Sequence, residues 1–390
     1  MSHVRPLQGV RYDLSKVGCD PSALFCPPQD LLTPTWRRNL FHRSPWNFVR
    51  VSTGAEGPEQ TPDAQTASSA SARIAREWLR LGILVRDPQP SFYVYRQTFA
   101  ATVGGVDDRF SRIGLVALLD PGAVVGHPGN GAPADGWASL PVHLHDEPST
   151  AFAGLLEAAK PVHLRFLDEH SVEHTLQVLD DPEAVHALQG VLRNLRTVSL
   201  DGWIRPGPGP HLALLVAADD PGLVLQPVHR IYRHLDPAVL DSAEGMLRAA
   251  FAVEELPYLG ADAAEALLAT LPENVHGFAF RRRDSDSILL LQVPFADGDH
   301  ALDSSFLGET FDRAVLPRPQ DREHRIGNVS EGHRAMERLD SDPEASLAIL
   351  LRPVGAGTLF SLAGADSNDP AIAPLHPRPW SGLVSYFPDA

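Results

Sequence analysis

His143 and His145 flank Leu144 and run into Asp146 and Glu147, while His170 lies four residues before His174. Imidazoles and carboxylates grouped in this way could hold a divalent metal, provided that four of them converge. A catalytic zinc helix needs His-Glu-x-x-His, and a structural site needs cysteine pairs. Neither pattern is present, so these residues read as solvated loop and strand positions and no metal site is expected. Cys19 and Cys26 are separated by six residues, unlike a Cys-x-x-Cys redox pair, and read as ordinary thiols. The acyl-transfer elbow Gly-x-Ser-x-Gly is missing. Arg205-Pro206-Gly207-Pro208-Gly209-Pro210 is no dinucleotide fingerprint, because such a glycine loop must open a helix. Arg281-Arg282-Arg283 reads as the solvated face of a hairpin. Lys16 and Lys160 are the only lysines, which leaves few amines for catalysis or for gripping phosphate.

The 390 residues, 43% of them hydrophobic, suffice to bury a core. Thirty glycines and 35 prolines imply many turns and short elements, which argues against helical bundles and coiled coils. A net charge of −16 repels phosphate backbones and anionic headgroups, so neither nucleic acid nor membrane is an expected partner. Two cysteines cannot build a disulfide framework, and no apolar run reaches the ~18 residues of a membrane span. The N-terminus lacks the pattern of an export signal. A cytoplasmic protein is expected.

Several elements must position whatever chemistry there is. Thr33-Pro34 starts a helix that ends near Arg43, before Ser44-Pro45. Trp46 to Val51 reads as a strand. Gly54 to Ala72 holds almost nothing large and apolar and reads as a flexible loop. From Ala72, the residues Ile74, Trp78, Leu79 and Leu81 recur at helical spacing up to Gly82. Ser91 to Phe99 and Ile113 to Leu119 read as paired strands, followed by a strand near Val142 to Leu144 and a helix over Thr150 to Ala159. Val162 to Phe166 and His174 to Leu179 alternate as strands, Asp181-Pro182 opens a helix, and Thr197 to Leu200 and Leu212 to Ala217 are apolar strand segments. Pro237 to Ala252 and Asp262 to Leu271 are expected helices, and Val275 to Phe280 with Ile288 to Val293 an expected hairpin. A final strand is expected in Pro343 to Leu351. Strands and helices without a strict βαβ rhythm predict α+β, with mixed sheets and packed helices.

Taken in order, these segments resemble the family known as domain of unknown function 1015. The resemblance is carried by Arg11-Tyr12-Asp13-Leu14-Ser15-Lys16-Val17-Gly18, Pro27-Pro28-x-Asp30, Ser44-Pro45-Trp46-Asn47-Phe48-Val49-Arg50, Glu77-Trp78-Leu79 through Asp87, and Phe92-Tyr93-Val94-Tyr95. Asp220-Pro221-Gly222-Leu223, Pro227-Val228-His229-Arg230 and Ser381-Gly382-Leu383-Val384 continue it. Members look like distant relatives of the ParB/sulfiredoxin superfamily, which includes free-serine kinases. The resemblance implies an N-terminal α/β region over 1–120 with the loop 54–72, a central ParB/sulfiredoxin-like region over 121–235, and a C-terminal α+β region over 236–390.

It also implies phosphoryl transfer, with an Asp-Gly-His-His-Arg loop cradling phosphate. At Asp201-Gly202-Trp203-Ile204-Arg205 both histidines are replaced, and Pro206, Pro208 and Pro210 remove the backbone donors that such a cradle uses. Of the family's His-Glu-Arg-Thr element only His127 remains, so the proton-accepting Glu is missing. Near the C-terminus the family's two lysines are absent, and Arg378 is the cation left to supply a charge before Ser381-Gly382-Leu383. The expected reading is therefore a catalytically degenerate protein binding a small molecule or nucleotide, or an intact paralogue. Asp30, His127, Asp201, Gly202, Arg205 and Arg378 are its candidate ligand-binding residues. The alternative is a kinase acting on a free serine-like hydroxyl with a rebuilt site, which alone would require ATP and Mg²⁺. A purely structural or interaction module is the third reading.

Overall fold

A computed structural model of the chain describes residues 3–103, 106–124, 140–151, 161–200, 209–272, 274–296, 302–364 and 374–387. It divides into two compact units. The first comprises Met1–Ala100, Arg109–Leu223 and Pro377–Ala390, the second Ala101–Asp108 and Val224–His376. Both combine sheets with packed helices, as expected for α+β. No helix among the described residues is long and apolar enough to cross a membrane.

Among the described residues, ten strands make up the first unit's sheets. They are β1 (Val4–Arg5), β2 (Val10–Tyr12), β3 (Leu84–Arg86), β4 (Phe92–Val103), β5 (Val106–Leu119), β6 (Val142–His145), β7 (Leu164–Leu167), β8 (Glu173–Leu179), β9 (Thr197–Ser199) and β10 (His211–Ala217). Eight of them form one sheet in the order β7-β8-β4-β5-β10-β6-β9, with β1 beside β5. β10 and β6 are parallel, whereas β5 with β10, β6 with β9 and β4 with β8 are antiparallel. Strand side chains alternate between faces. Phe92, Leu115, Ala117, Leu119, Ala213 and Leu215 accordingly share one face, where they pack on Ala184, Leu188 and Leu192 of the helix Pro182–Val191 and the 3₁₀ turn after it. Asp181 caps that helix by accepting the Ala184 N–H at 2.9 Å.

The helix Pro34–Arg43 has the predicted bounds, with the Thr33 hydroxyl accepting the Trp36 N–H. Two neighbouring expectations are corrected. Trp46 to Val51 is not a strand, for the helix Val49–Thr53 begins within it. Buried Asn47 donates to the Ala23 and Phe25 carbonyls at 2.8 and 3.1 Å and accepts from the Val49 N–H at 2.9 Å. This side chain turns the backbone against the β preference of its neighbours. The supposed flexible loop 54–72 is largely helix, since Ala64–Arg80 starts at Asp63, which accepts the Thr66 N–H. Its small residues permit close approach: a Cβ on Gly54 would overlap the backbone of Ala67, and the Ser71 hydroxyl reaches the Val51 carbonyl at 2.5 Å.

The second unit is built on an antiparallel six-stranded sheet. Its strands β11 (Val224–Leu225), β12 (His229–Arg233), β13 (Ala252–Pro257), β14 (Val275–Arg282), β15 (Ser287–Pro294), β16 (Ile326–Val329), β17 (Ala345–Leu351) and β18 (Leu375–His376) pair as β13-β15-β14-β17-β12-β16, with β11 and β18 apart. Phe278, Phe280, Leu289, Leu291, Leu347 and Ile349 pack on one side with Leu240 and Leu247 of the helix Pro237–Ala250. Ala279, Ile288, Leu290 and Ala348 pack on the other with the helices Ala261–Ala269 and Gly332–Ser341. This unit is a sheet covered by helices on both faces. The predicted hairpin is β14–β15, and each helix ends within two residues of its predicted bounds.

Candidate functional site

The strand alternation of the first unit's sheet places Arg96, Ser111 and Ile113 on the face that also carries Leu115, Leu215, Ala217 and His145. There they line a cavity of about 330 Å³, completed by Gly114, Leu192, Ser149, Thr150, Asp220 and Pro221. Ile113, Leu115, Leu192, Leu215 and Ala217 supply apolar surface, and Ser111, Ser149 and Thr150 supply hydroxyls. The half-buried Arg96 brings a guanidinium, its Nη1 3.5 Å from the Ser111 hydroxyl. No carboxylate among the described residues pairs with it.

Asp220 begins a turn pressed against β5. Its carboxylate accepts the Ile113 N–H at 3.1 Å and the Gly222 N–H at 2.7 Å. Gly222 is needed there, because a Cβ would overlap the Ser111 carbonyl. Burial raises the Asp220 pKa against those two hydrogen bonds and the charge of Arg112. Arg112 is itself fully buried on the opposite face, where burial lowers its pKa to about 10, so it stays charged at neutral pH. It donates to the Gln97 side chain and, at 2.5 Å, to the Pro377 carbonyl. Burial drives His145 down to about 4. The only imidazole in the cavity lining described is thus neutral and weakly basic near pH 7, unsuited to deprotonating a hydroxyl.

The other face holds a buried polar chain. Asp168 takes the His170 and Val172 N–H groups on one oxygen, and its other oxygen lies 3.1 Å from His174 Nε2. His174 Nδ1 lies 2.6 Å from the Tyr95 hydroxyl. Burial works against the Asp168 charge, but the His174 and backbone hydrogen bonds prevail and keep its pKa below the ordinary value. Burial also lowers the His174 pKa and raises that of Tyr95. A neutral imidazole therefore donates from Nε2 to the carboxylate and accepts the phenol proton at Nδ1. The chain is hydrogen-bonded from end to end and shielded by Phe166 and Trp380. In this setting it fixes strand positions.

His143 faces His211 with the two Nε2 atoms 3.3 Å apart, and both are buried. His170 lies edge-on to the Trp36 ring. Among the described residues, no group of three or more His, Cys, Asp or Glu side chains is placed to hold a metal ion.

Of the residues singled out in the sequence, His127, Asp201, Gly202 and Arg205 lie outside the described residues, as does most of the expected helix Thr150 to Ala159. Asp30 falls in the 3₁₀ turn Gln29–Leu31. The Arg378 carbonyl accepts from Gln97 at 3.2 Å. The segments that carry Asp30 and Arg378 are joined by the bridge between Cys26 and Ser381. Leu200 and His211 sit at the Val142 and Leu119 ends of their neighbouring strands, whereas His145, Ala217 and Gly114 line the cavity at the opposite ends. Sequence reasoning missed Arg96. The available signal was a cation in phase with Phe92 and Val94 on an alternating strand. Asp220 served only as a landmark.

Residues 4–123 match the family model described as Protein of unknown function (DUF1015). This stretch contains the landmarks from Arg11 to Tyr95 and bears out the family resemblance. No curated protein and no solved structure matches the chain.

Proposed function

We propose that this DUF1015-family chain is a binding protein, degenerate in phosphoryl transfer, which takes a small molecule in the cavity between the first unit's sheet and Leu192. The single observation that carries this reading is the cavity itself, in which apolar side chains, three hydroxyls and one guanidinium converge. Such a mixture of apolar walls and a few polar groups typifies ligand sites, and its volume lies at the low end of their range, about 300–1,000 Å³. That size suits a metabolite better than a nucleoside triphosphate.

Catalysis is not supported by the groups present. The Asp220 carboxylate is occupied by two backbone N–H groups, and His145 is a poor base at neutral pH. In the sequence, the proline run after Arg205 and the loss of Glu beside His127 point the same way. The test is a coupled assay of the full chain with Mg-ATP and free serine. No turnover above the protein-free control is expected, and sustained formation of phosphoserine would overturn the proposal in favour of a rebuilt kinase.

A further inference from the structure

We infer that the cavity's ligand is a small monocarboxylate with an apolar body, its carboxylate on Arg96 and its body against Leu115, Leu192 and Leu215. This rests on reading the cavity as a ligand site. Arg96 projects from β4 into the cavity lining and is half-buried there. Among the described residues its side chain makes one hydrogen bond, to the Ser111 hydroxyl at the long distance of 3.5 Å. A guanidinium presents a planar fork that matches a carboxylate through two parallel hydrogen bonds, so a bound carboxylate would complete what the described residues leave open.

The charge balance narrows the class further. Asp220 lines the same cavity and Asp219 precedes it, its side chain accepting the Ser149 N–H at 2.8 Å. Arg96 is the only cation in the lining described, since His145 is neutral at physiological pH. One cation beside an acidic turn suits a single negative charge, whereas a phosphate dianion would meet uncompensated repulsion. The three leucines then select for an alkyl or aryl body, because apolar area removed from water supplies most of the affinity.

Isothermal titration of the full chain with hexanoate, 1-hexanol and hexyl phosphate tests the assignment. Hexanoate should bind about tenfold more tightly than hexanol, the scale of one charge-assisted contact, and more tightly than hexyl phosphate. Arg96→Gln should erase the preference over hexanol, and Arg96→Lys should keep part of it, which preserves the test if the first variant folds poorly. Equal affinities for hexanoate and hexanol would overturn the carboxylate assignment and leave the cavity reading standing. A preference for hexyl phosphate would overturn the monoanion class. Absence of binding by all three would overturn the cavity reading together with the assignment.

Discussion

Arg96 Nη1 lies 3.5 Å from the Ser111 hydroxyl across two neighbouring strands, and both side chains line an otherwise largely apolar cavity. Three other arginines with little solvent exposure are handled differently. Arg230 pairs with Asp312, Arg11 with Asp87 and Arg281 with Asp340. Arg96 is held in place by strand alternation and by no carboxylate among the described residues, which leaves its fork available to a ligand.

Filling the cavity should abolish binding without unfolding the protein. Ala217→Leu adds bulk beside Leu215 and His145, at a cost of about 1–3 kcal/mol if the surroundings must shift. Calorimetry should show the loss of hexanol and hexanoate binding together, with an unchanged circular dichroism spectrum. Binding at wild-type affinity in this variant would place the ligand elsewhere.

Arg112 should behave as a structural residue. Arg112→Ala strips the Gln97 side chain and the Pro377 carbonyl of a buried donor and leaves Asp220 without its compensating charge. Breaking a buried charge arrangement in this way costs about 3–5 kcal/mol. Urea denaturation should report a loss in that range, whereas a change below about 1 kcal/mol would show that the fork carries little.

Acid should destabilise the first unit before its carboxylates titrate. His143 is driven down to about 3 by burial and the nearby His211 charge, His145 to about 4 by burial, and burial lowers His174 and His211 as well. Unfolded histidines protonate near pH 6.5, so below that value the unfolded chain binds protons that the folded chain excludes. Stability is complete above about pH 6.5 and falls as the pH drops toward 4, by up to about 1.4 kcal/mol per pH unit for each histidine. Urea midpoints at pH 7.5, 6 and 5 should decline in that order, and His143→Asn should flatten the decline. A pH-independent midpoint over this interval would contradict the buried neutral pair.

Gly54→Ala should destabilise by about 1–3 kcal/mol. The residue has φ 61°, and a methyl there meets the Ala67 backbone. Thermal melting should register the loss, while unchanged stability would mean that the two helices do not need this close approach.

Much of the scaffold was legible because local rules and tertiary contacts agreed. Pro34–Arg43 has a threonine cap, a proline at its first position and Ser44-Pro45 beyond its end, and β14–β15 alternates on both strands. Reading failed where a single side chain or a close approach decided the backbone. Asn47 ties three backbone groups and overrides the β-branched residues around it, and the Ala/Ser/Thr stretch from residue 64 is a helix capped by Asp63 whose small residues pack closely on Gly54. The site was less legible still. Arg96 becomes informative only once β5 and β10 are known to complete its face, and Asp220 only once Gly222 is seen against Ser111. The β5–β10 partners lie 92 to 102 residues apart and Gly222 lies 111 residues from Ser111, beyond the reach of any local pattern.

The most direct measurement is a crystal structure of the full chain grown with hexanoate. The account predicts one molecule in the cavity, with its carboxylate within hydrogen-bonding distance of the Arg96 guanidinium and its chain against Leu192 and Leu215. An unoccupied cavity beside hexanoate bound at another site, or Arg96 turned away from the ligand, would contradict it.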